Sequence, residues 1–216
     1  MSKLLAALIL VAILAPGAQA QPGSRVSLGA GAGWTNYSNG AFTDKGPSLV
    51  PEYHFQLKPS SERTNGLKWG VKGGLGYSTP DRHDMIGGFD TKTGNLRMIP
   101  VMVGGGPSYQ MGPMRLGAGV VAGASFNHFT VDDAARTGYR DRLGSTLNSI
   151  NAKNSVAVRP DVSLWYNFTP SVGLHSSVSY TYNRPTVETT VNGVTTSERW
   201  NADHLGYQVG LAYGIF

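Results

Sequence analysis

Val158-Arg-Pro-Asp-Val-Ser-Leu-Trp-Tyr-Asn-Phe-Thr-Pro-Ser-Val-Gly-Leu-His-Ser-Ser-Val-Ser-Tyr-Thr-Tyr182 carries the pattern that decides the fold. Val158, Val162, Leu164, Tyr166 and Phe168 share one parity, and Arg159, Asp161, Ser163 and Asn167 share the other. After Thr169–Ser171 the pattern restarts: Val172, Leu174, Val178, Tyr180 and Tyr182 stand against His175, Ser177, Ser179, Thr181 and Asn183. A period of two marks a strand with two unlike faces, and a short polar connector marks a hairpin.

The same alternation extends through the rest of the chain. Val26, Leu28, Ala30, Ala32 and Trp34 oppose Ser27, Gly29, Gly31, Gly33 and Thr35. Leu49, Pro51, Tyr53, Phe55 and Leu57 oppose Ser48, Glu52, His54 and Gln56. Leu67, Trp69, Val71, Leu75 and Tyr77 oppose Lys68, Gly70, Lys72, Gly74 and Ser78. Leu116, Ala118, Val120, Ala122, Ala124 and Phe126 oppose Gly117, Gly119, Gly123, Ser125 and Asn127. Leu205, Tyr207, Val209, Leu211, Tyr213 and Ile215 oppose His204, Gly206, Gln208, Gly210 and Gly214. The segment from Leu96 to Met111 is less regular, with Arg97 among apolar residues on both parities; a phase-resetting bulge is expected at Gly104-Gly105-Gly106. That makes eight strands. Pro51, Pro100 and Pro160 fall inside three of them, near the loop-side ends, where lapses in pairing are expected.

The connectors alternate too. Ser38–Pro47, Thr79–Asn95, His128–Asn154 and Arg184–Asn201 are long and polar, and Asp132–Ser149 has room for a short helix. Lys58–Gly66, Gln110–Pro113 and Thr169–Ser171 are shorter. Long loops on one rim and short turns on the other describe an up-and-down transmembrane β-barrel of the outer-membrane kind.

Three features turn the apolar face outward, toward lipid. The polar face interleaves Glu52, Lys68, Lys72, Arg159 and Asp161 with glycine and serine, as a narrow lumen requires. Aromatic residues gather at both ends of the apolar face, with Trp34, Tyr77, Phe126, Tyr180 and Tyr182 at the loop rim. Phe55, Trp69, Tyr166, Phe168 and Tyr213 lie at the turn rim. Two such belts mark two membrane interfaces. The third feature is the start of the chain: Lys3, an apolar run from Leu4 to Ala15, then Ala18-Gln19-Ala20, which reads as a secretory signal peptide over residues 1–20. The barrel domain is then residues 21–216, placed in the outer membrane after export to the periplasm. A soluble ligand-binding barrel in the periplasm is the structural rival.

Composition agrees. The 216 residues include 29 glycines, and only 14% are charged. There is no cysteine, so thiol chemistry and disulfide frameworks are excluded. The net charge of +5 is scattered and does not call for nucleic acid.

Nearly the whole mature chain, and most clearly Arg159–Tyr182 and the terminal strand Gly206–Phe216, resembles small eight-stranded outer-membrane barrels of the OmpA/OmpX type. That resemblance implies recognition by the barrel-assembly machinery through the C-terminal strand ending in Phe216. Here Tyr213 stands fourth from the end, where such signals usually place an aromatic third.

Eight strands enclose room for side chains or one small ligand, and buried charge must be paired. A plugged polar lumen of Glu52, Lys68, Lys72, Arg159, Asp161 and His175 is expected. Pairing Leu57 with Leu67 would set Glu52 against Lys72 and Gln56 against Lys68; pairing Phe168 with Val172 would set Trp165 against His175. The alternative is a narrow channel for small solutes or hydrophobic compounds using the same charges. A lipid-modifying enzyme built on His175 and Ser177 is a second alternative, with no acid close in sequence. His83 and His128, near Asp81, Asp84, Asp132 and Asp133, lack metal-ligand spacing. No cofactor, metal or catalytic activity is expected. The role expected is structural, or interaction with surface partners through the loops, as a monomer among outer-membrane lipids. Arg136, Arg140 and Arg142 are the candidate lipopolysaccharide contacts.

Overall fold

The computed structural model describes residues 25–37, 41–43, 48–56, 66–169 and 172–214. Residues 1–20, where a signal peptide is expected, Leu57 and Phe216 lie outside them, and residues 25–31 and 48–56, including Glu52 and Phe55, are placed by backbone alone. Eight antiparallel strands form the wall: β1 (Arg25–Tyr37), β3 (Ser48–Gln56), β4 (Gly66–Leu75), β6 (Phe89–Met111), β7 (Met114–Val131), β9 (Ser155–Asn167), β10 (Val172–Asn183) and β13 (His204–Gly214). Each pairs with its sequence neighbours in the wall, and β1 pairs with β13, so the ring of hydrogen bonds closes. Closure removes the sheet edges that a membrane could not satisfy.

The parity follows the sequence. Along β7 exposed and less accessible residues alternate from Met114 to Thr130, with Leu116, Val120 and Phe126 outside and Arg115, Val121 and Ser125 inside. Leu164, Val178, Val209 and Leu211 are likewise on the outer face. Trp34, Tyr77, Phe126 and Tyr182 mark the upper rim, and Trp69, Tyr166, Phe168 and Tyr213 the lower.

Two register expectations change. The β6–β7 ladder keeps one register from Gly94↔Val131 to Met111↔Met114, so Gly104–Gly106 resets nothing. The phase break lies higher, at Gly94, whose φ of 157° takes the strand out of the barrel pattern. The β3–β4 pair sits two residues from the expected match: Glu52 faces Gly74, His54 faces Lys72 and Gln56 faces Gly70. A hairpin read alone favours matching leucines, whereas in a closed ring each strand's register must satisfy both neighbours. The β9–β10 register is the expected one, with Trp165 opposite His175.

The prolines sit where pairing lapses. The β3–β4 ladder ends at Glu52↔Gly74, one residue short of Pro51; the β4–β6 ladder ends at Leu75↔Val101, beside Pro100. The β9–β10 ladder skips from Ser179↔Asp161 to Tyr182↔Val158, past Pro160. A residue without an N–H cannot donate to a ladder, and these are the places that do without it.

Above the barrel the described parts of the long connectors are built structure rather than open polar loops. β2 (Phe42–Thr43) pairs with β5 (Asp81–Ile86), which forms a hairpin with the upper part of β6. Helix α1 (Asp133–Leu143) starts at Asp132, whose carboxylate accepts from Ala134 N at 3.1 Å, and stops at Gly144, with φ of 59°. β8 (Leu147–Ala152), β11 (Thr186–Val191) and β12 (Val194–Arg199) make a separate three-stranded sheet. The β11–β12 turn is Asn192-Gly193, both with positive φ, a hairpin signal of the type I′ kind. Leu96, Met98, Phe129, Leu147, Ile150, Val187, Trp200 and their neighbours form an apolar core inside this cap.

Candidate functional site

The interior is filled in layers. At the top, Trp200 packs edge-on to Phe129 with centroids 5.0 Å apart, and the Arg82 guanidinium lies 4.0 Å above its ring. Arg82 is held by Asp84 through two hydrogen bonds of 3.0 and 2.7 Å, and Thr93 Oγ1 donates to the same carboxylate at 2.7 Å. The strand parity that buries Leu96, Met98 and Met102 also explains why Arg97 looked misplaced in the sequence. Just below the cap both faces of β6 are apolar, one toward lipid and one toward the core.

Beneath the cap core lies a polar layer of Asn and Ser side chains joined by the Asp203 carboxylate. Asn183 donates from Nδ2 to Ser125 Oγ at 3.1 Å and accepts at Oδ1 from Ser155 Oγ at 2.6 Å. Asn127 Nδ2 donates to Ser155 Oγ at 2.9 Å, and Asp203 accepts from Asn183 N at 2.8 Å. Met102, Val121 and Ala157 form an apolar step below it.

The charged layer comes next. Lys72 on β4 reaches across the lumen to a buried ion pair with Asp161 on β9. It passes over Gly119, where a Cβ would stand 3.0 Å from both Lys72 Cε and Nζ. Glycine on this face is therefore room for a neighbour's long side chain, as the sequence reading required. Arg159 is buried one pleat above Asp161. One pleat below, Ser163 faces Gly117 and Ser177, and Ser177 Oγ donates to Gln208 Oε1 at 3.3 Å. At the lower end His175 stacks on Trp165, centroids 4.2 Å apart, and the Arg115 guanidinium lies 4.6 Å from the Trp165 ring on the other side.

Four of the six expected lumen residues are thus buried in the interior: Lys72, Arg159, Asp161 and His175. Lys68 is half-buried on the same parity, and Glu52 is placed by its backbone, opposite Gly74. Arg115 joins them. Its signal was present: it precedes Leu116 and so shares the parity of Gly117 and Gly119. His175 and Ser177 are neighbours on one face, but the Ser177 hydroxyl engages Gln208 and the imidazole packs at a tilt against the Trp165 ring. His83 lies 3.4 Å from Asp90 in the β5–β6 hairpin, while His128 stands on the outer wall, and no cluster suited to a metal ion occurs among the described residues.

The three candidate arginines lie on α1 but do not share a free surface. Arg142 donates to Thr91 Oγ1 at 2.9 Å and to Ile86 O at 3.3 Å, and stacks 4.6 Å over Phe89. Arg140 bonds the exposed Asp141 at 2.9 Å, which raises its pKa. Arg136 is exposed one turn earlier.

Residues 4–149 match the family model described as the outer membrane protein beta-barrel domain. The chain belongs to that family. Its place is therefore the outer membrane. No curated protein matches the chain. Among solved structures it is similar to the outer membrane protein OprG from Pseudomonas aeruginosa, at 13% identity and a TM-score of 0.63, covering 89% of this chain and 96% of that one. AlkL, solved in DMPC lipid bilayers, is 15% identical with a TM-score of 0.57, covering 89% and 90%. A major outer membrane protein from Thermus thermophilus is 16% identical with a TM-score of 0.54, covering 89% and 99%. At these identities the likeness is one of fold.

Proposed function

We propose that this outer-membrane barrel is sealed and non-enzymatic, and that its working surface is the folded cap on the long-loop rim. The observation that carries this reading is the filled interior. The Lys72–Asp161 bridge crosses the lumen, with Arg115, Trp165 and His175 stacked below it and the apolar cap core above. Opening a pathway would require breaking a buried ion pair, at about 3–5 kcal/mol, besides displacing the stacked rings. The reading gives residues 1–20 to export and the strand ending in Phe216 to the assembly machinery. On α1 it leaves Arg136 and Arg140 facing outward for lipopolysaccharide, while the Arg142 guanidinium is taken up by Thr91, Ile86 and Phe89.

Single-channel recording in planar bilayers tests it. The expected trace is flat, with at most brief small events; a large, steady conductance would refute the plug.

A second reading has one observation in its favour. The β3–β4 ladder stops at Glu52↔Gly74, while Gly76 and Ser78 hydrogen-bond to β6 through Pro100 O and Met98 O. This seam near the upper rim suits sideways passage of a small apolar solute between lumen and bilayer. Protein-dependent transfer of an apolar fluorophore into proteoliposomes, abolished by cross-linking β3 to β4, would favour it over the sealed barrel.

A further inference from the structure

Outside the barrel, the row of lipid-facing side chains on β6 and β7 ends in a guanidinium and an imidazole. Arg97 and His128 are directly opposite in the β6–β7 register, and both are exposed. They share the parity of Val101 and Val103 on β6 and of Ala124 and Phe126 on β7, so they continue the lipid-facing rows upward. Neither has a carboxylate partner among the described residues. Three other cations of the cap are engaged: Lys92 by Asp81 at 3.1 Å, Lys153 by Glu188 at 2.8 Å and Arg184 by Asp203 at 2.8 Å.

Their height follows from the strand. From Tyr109, exposed at the lower end, to Ile99 is ten residues of one ladder. At about 3.4 Å per residue and a tilt of about 40°, that run rises roughly 26 Å, close to the ~25 Å apolar band of such barrels. Ile99 is flanked by Phe126 in the β7 register, and on the other side by Tyr77, next to the Ser78↔Met98 bridge. Tyr77, Ile99 and Phe126 therefore make one interfacial row, and Arg97 with His128 stands one pleat, about 5 Å, above it. Beyond them come Asn95 and Thr130, which are polar. A guanidinium at that level, without a carboxylate partner among the described residues, stands at the height of the outer-leaflet headgroups.

We propose that Arg97 and His128 form a docking position for the phosphate of a phosphorylated outer-leaflet lipid, whose acyl chains lie along Tyr77, Ile99 and Phe126. A planar guanidinium binds a phosphate through paired charge-assisted hydrogen bonds, and the imidazole adds a donor beside it. The occupant is lipid-borne rather than free phosphate, because the site opens downward onto an apolar row and not into a pocket. The site depends on the outer-membrane placement and is indifferent to whether the lumen conducts.

The test uses the full barrel in nanodiscs of phosphatidylcholine containing a minor fraction of diphosphoryl lipid A. The readout is enrichment of lipid A over phosphatidylcholine among lipids retained by the protein in native mass spectrometry. Arg97→Gln with His128→Gln should lower that enrichment roughly tenfold, as loss of a charge-assisted contact implies. Arg97→Lys should retain part of it, and Lys153→Gln, at a cap cation already paired with Glu188, should leave it intact. A dephosphorylated lipid A with the same chains should show no enrichment, and inorganic phosphate in the buffer should not displace the lipid. Unchanged enrichment in the double variant, or equal enrichment of the dephosphorylated lipid, would overturn the proposal. Full displacement by inorganic phosphate would overturn it as well, by assigning the site to a free anion.

Discussion

The barrel and the cap are built from the same kind of strand but are opposite in polarity. In the barrel, Val103, Leu164 and Leu211 face out, and Lys72, Arg159 and Asp161 face in. In the cap, Leu147, Ile150, Val187 and Trp200 face in, and all six residues of β12, from Val194 to Arg199, are exposed. Strands β6 and β7 run through both regimes. The changeover on β6 falls at Gly94, where the backbone irregularity swaps which parity is buried, from Leu96 and Met98 below to Thr91 and Thr93 above. The solvent decides which face is apolar, and a strand that crosses from lipid to water must change phase or carry apolar residues on both sides.

The largest effect should come from breaking the buried ion pair. Lys72→Ala leaves Asp161 charged and unpartnered in the lumen, and should cost about 3–5 kcal/mol in reversible urea unfolding from lipid. Replacing both partners by apolar residues, Lys72→Met with Asp161→Leu, should recover most of that loss. A cap residue of similar weight should behave differently. Trp200→Ala removes the ring packed between Phe129 and Arg82 and should cost about 3–5 kcal/mol. Hydrogen exchange should place that loss in β8, β11 and α1, with the amides of β9, β10 and β13 still protected.

The opposed polarities predict opposite responses to one substitution. Val103→Arg puts a cation in the lipid band and should destabilise by about 2–4 kcal/mol. Val194→Arg, at a position 67% exposed in the cap, should stay within about 0.5 kcal/mol. Equal costs at the two sites would contradict the contrast. The smallest effect is alkaline. Burial first, then the charges of Asp84 and Glu198, push the Tyr139 hydroxyl above its ordinary pKa of 10.0. A raised value favours the neutral phenol in the folded cap, so its contribution is intact below pH 10 and is lost as pH rises beyond it. Tyr139→Phe should flatten that alkaline slope in cap-specific exchange.

How much of this could be read from residues alone differs between the two regions. The wall was legible because lipid outside and a narrow lumen inside impose one period over eight strands, and Trp165 fell opposite His175 as the short turn required. The β3–β4 register was not, since ring closure rather than one hairpin sets it. The cap was largely hidden. Its core is assembled from Leu96, Phe129, Ile150, Val187 and Trp200, far apart in sequence and each set among polar neighbours. One signal was there to be used: Val187, Thr189 and Val191 before Asn192-Gly193 is a strand entering a tight hairpin. Arg97 was noticed in the sequence but had no reading until β7 placed His128 beside it.

Because the chain has no cysteine, single cysteines introduced at Val103, Leu164, Leu211 and, in the cap, Ile150 and Val187 can each carry a fluorophore without background. Quenching by nitroxide lipids, set against quenching by iodide, tests the inside-out wall most directly. Lipid-borne quenchers should reach the first three positions and iodide should not, while neither should reach Ile150 or Val187. Iodide quenching at Val103, Leu164 and Leu211, with the lipid nitroxides silent, would contradict the account.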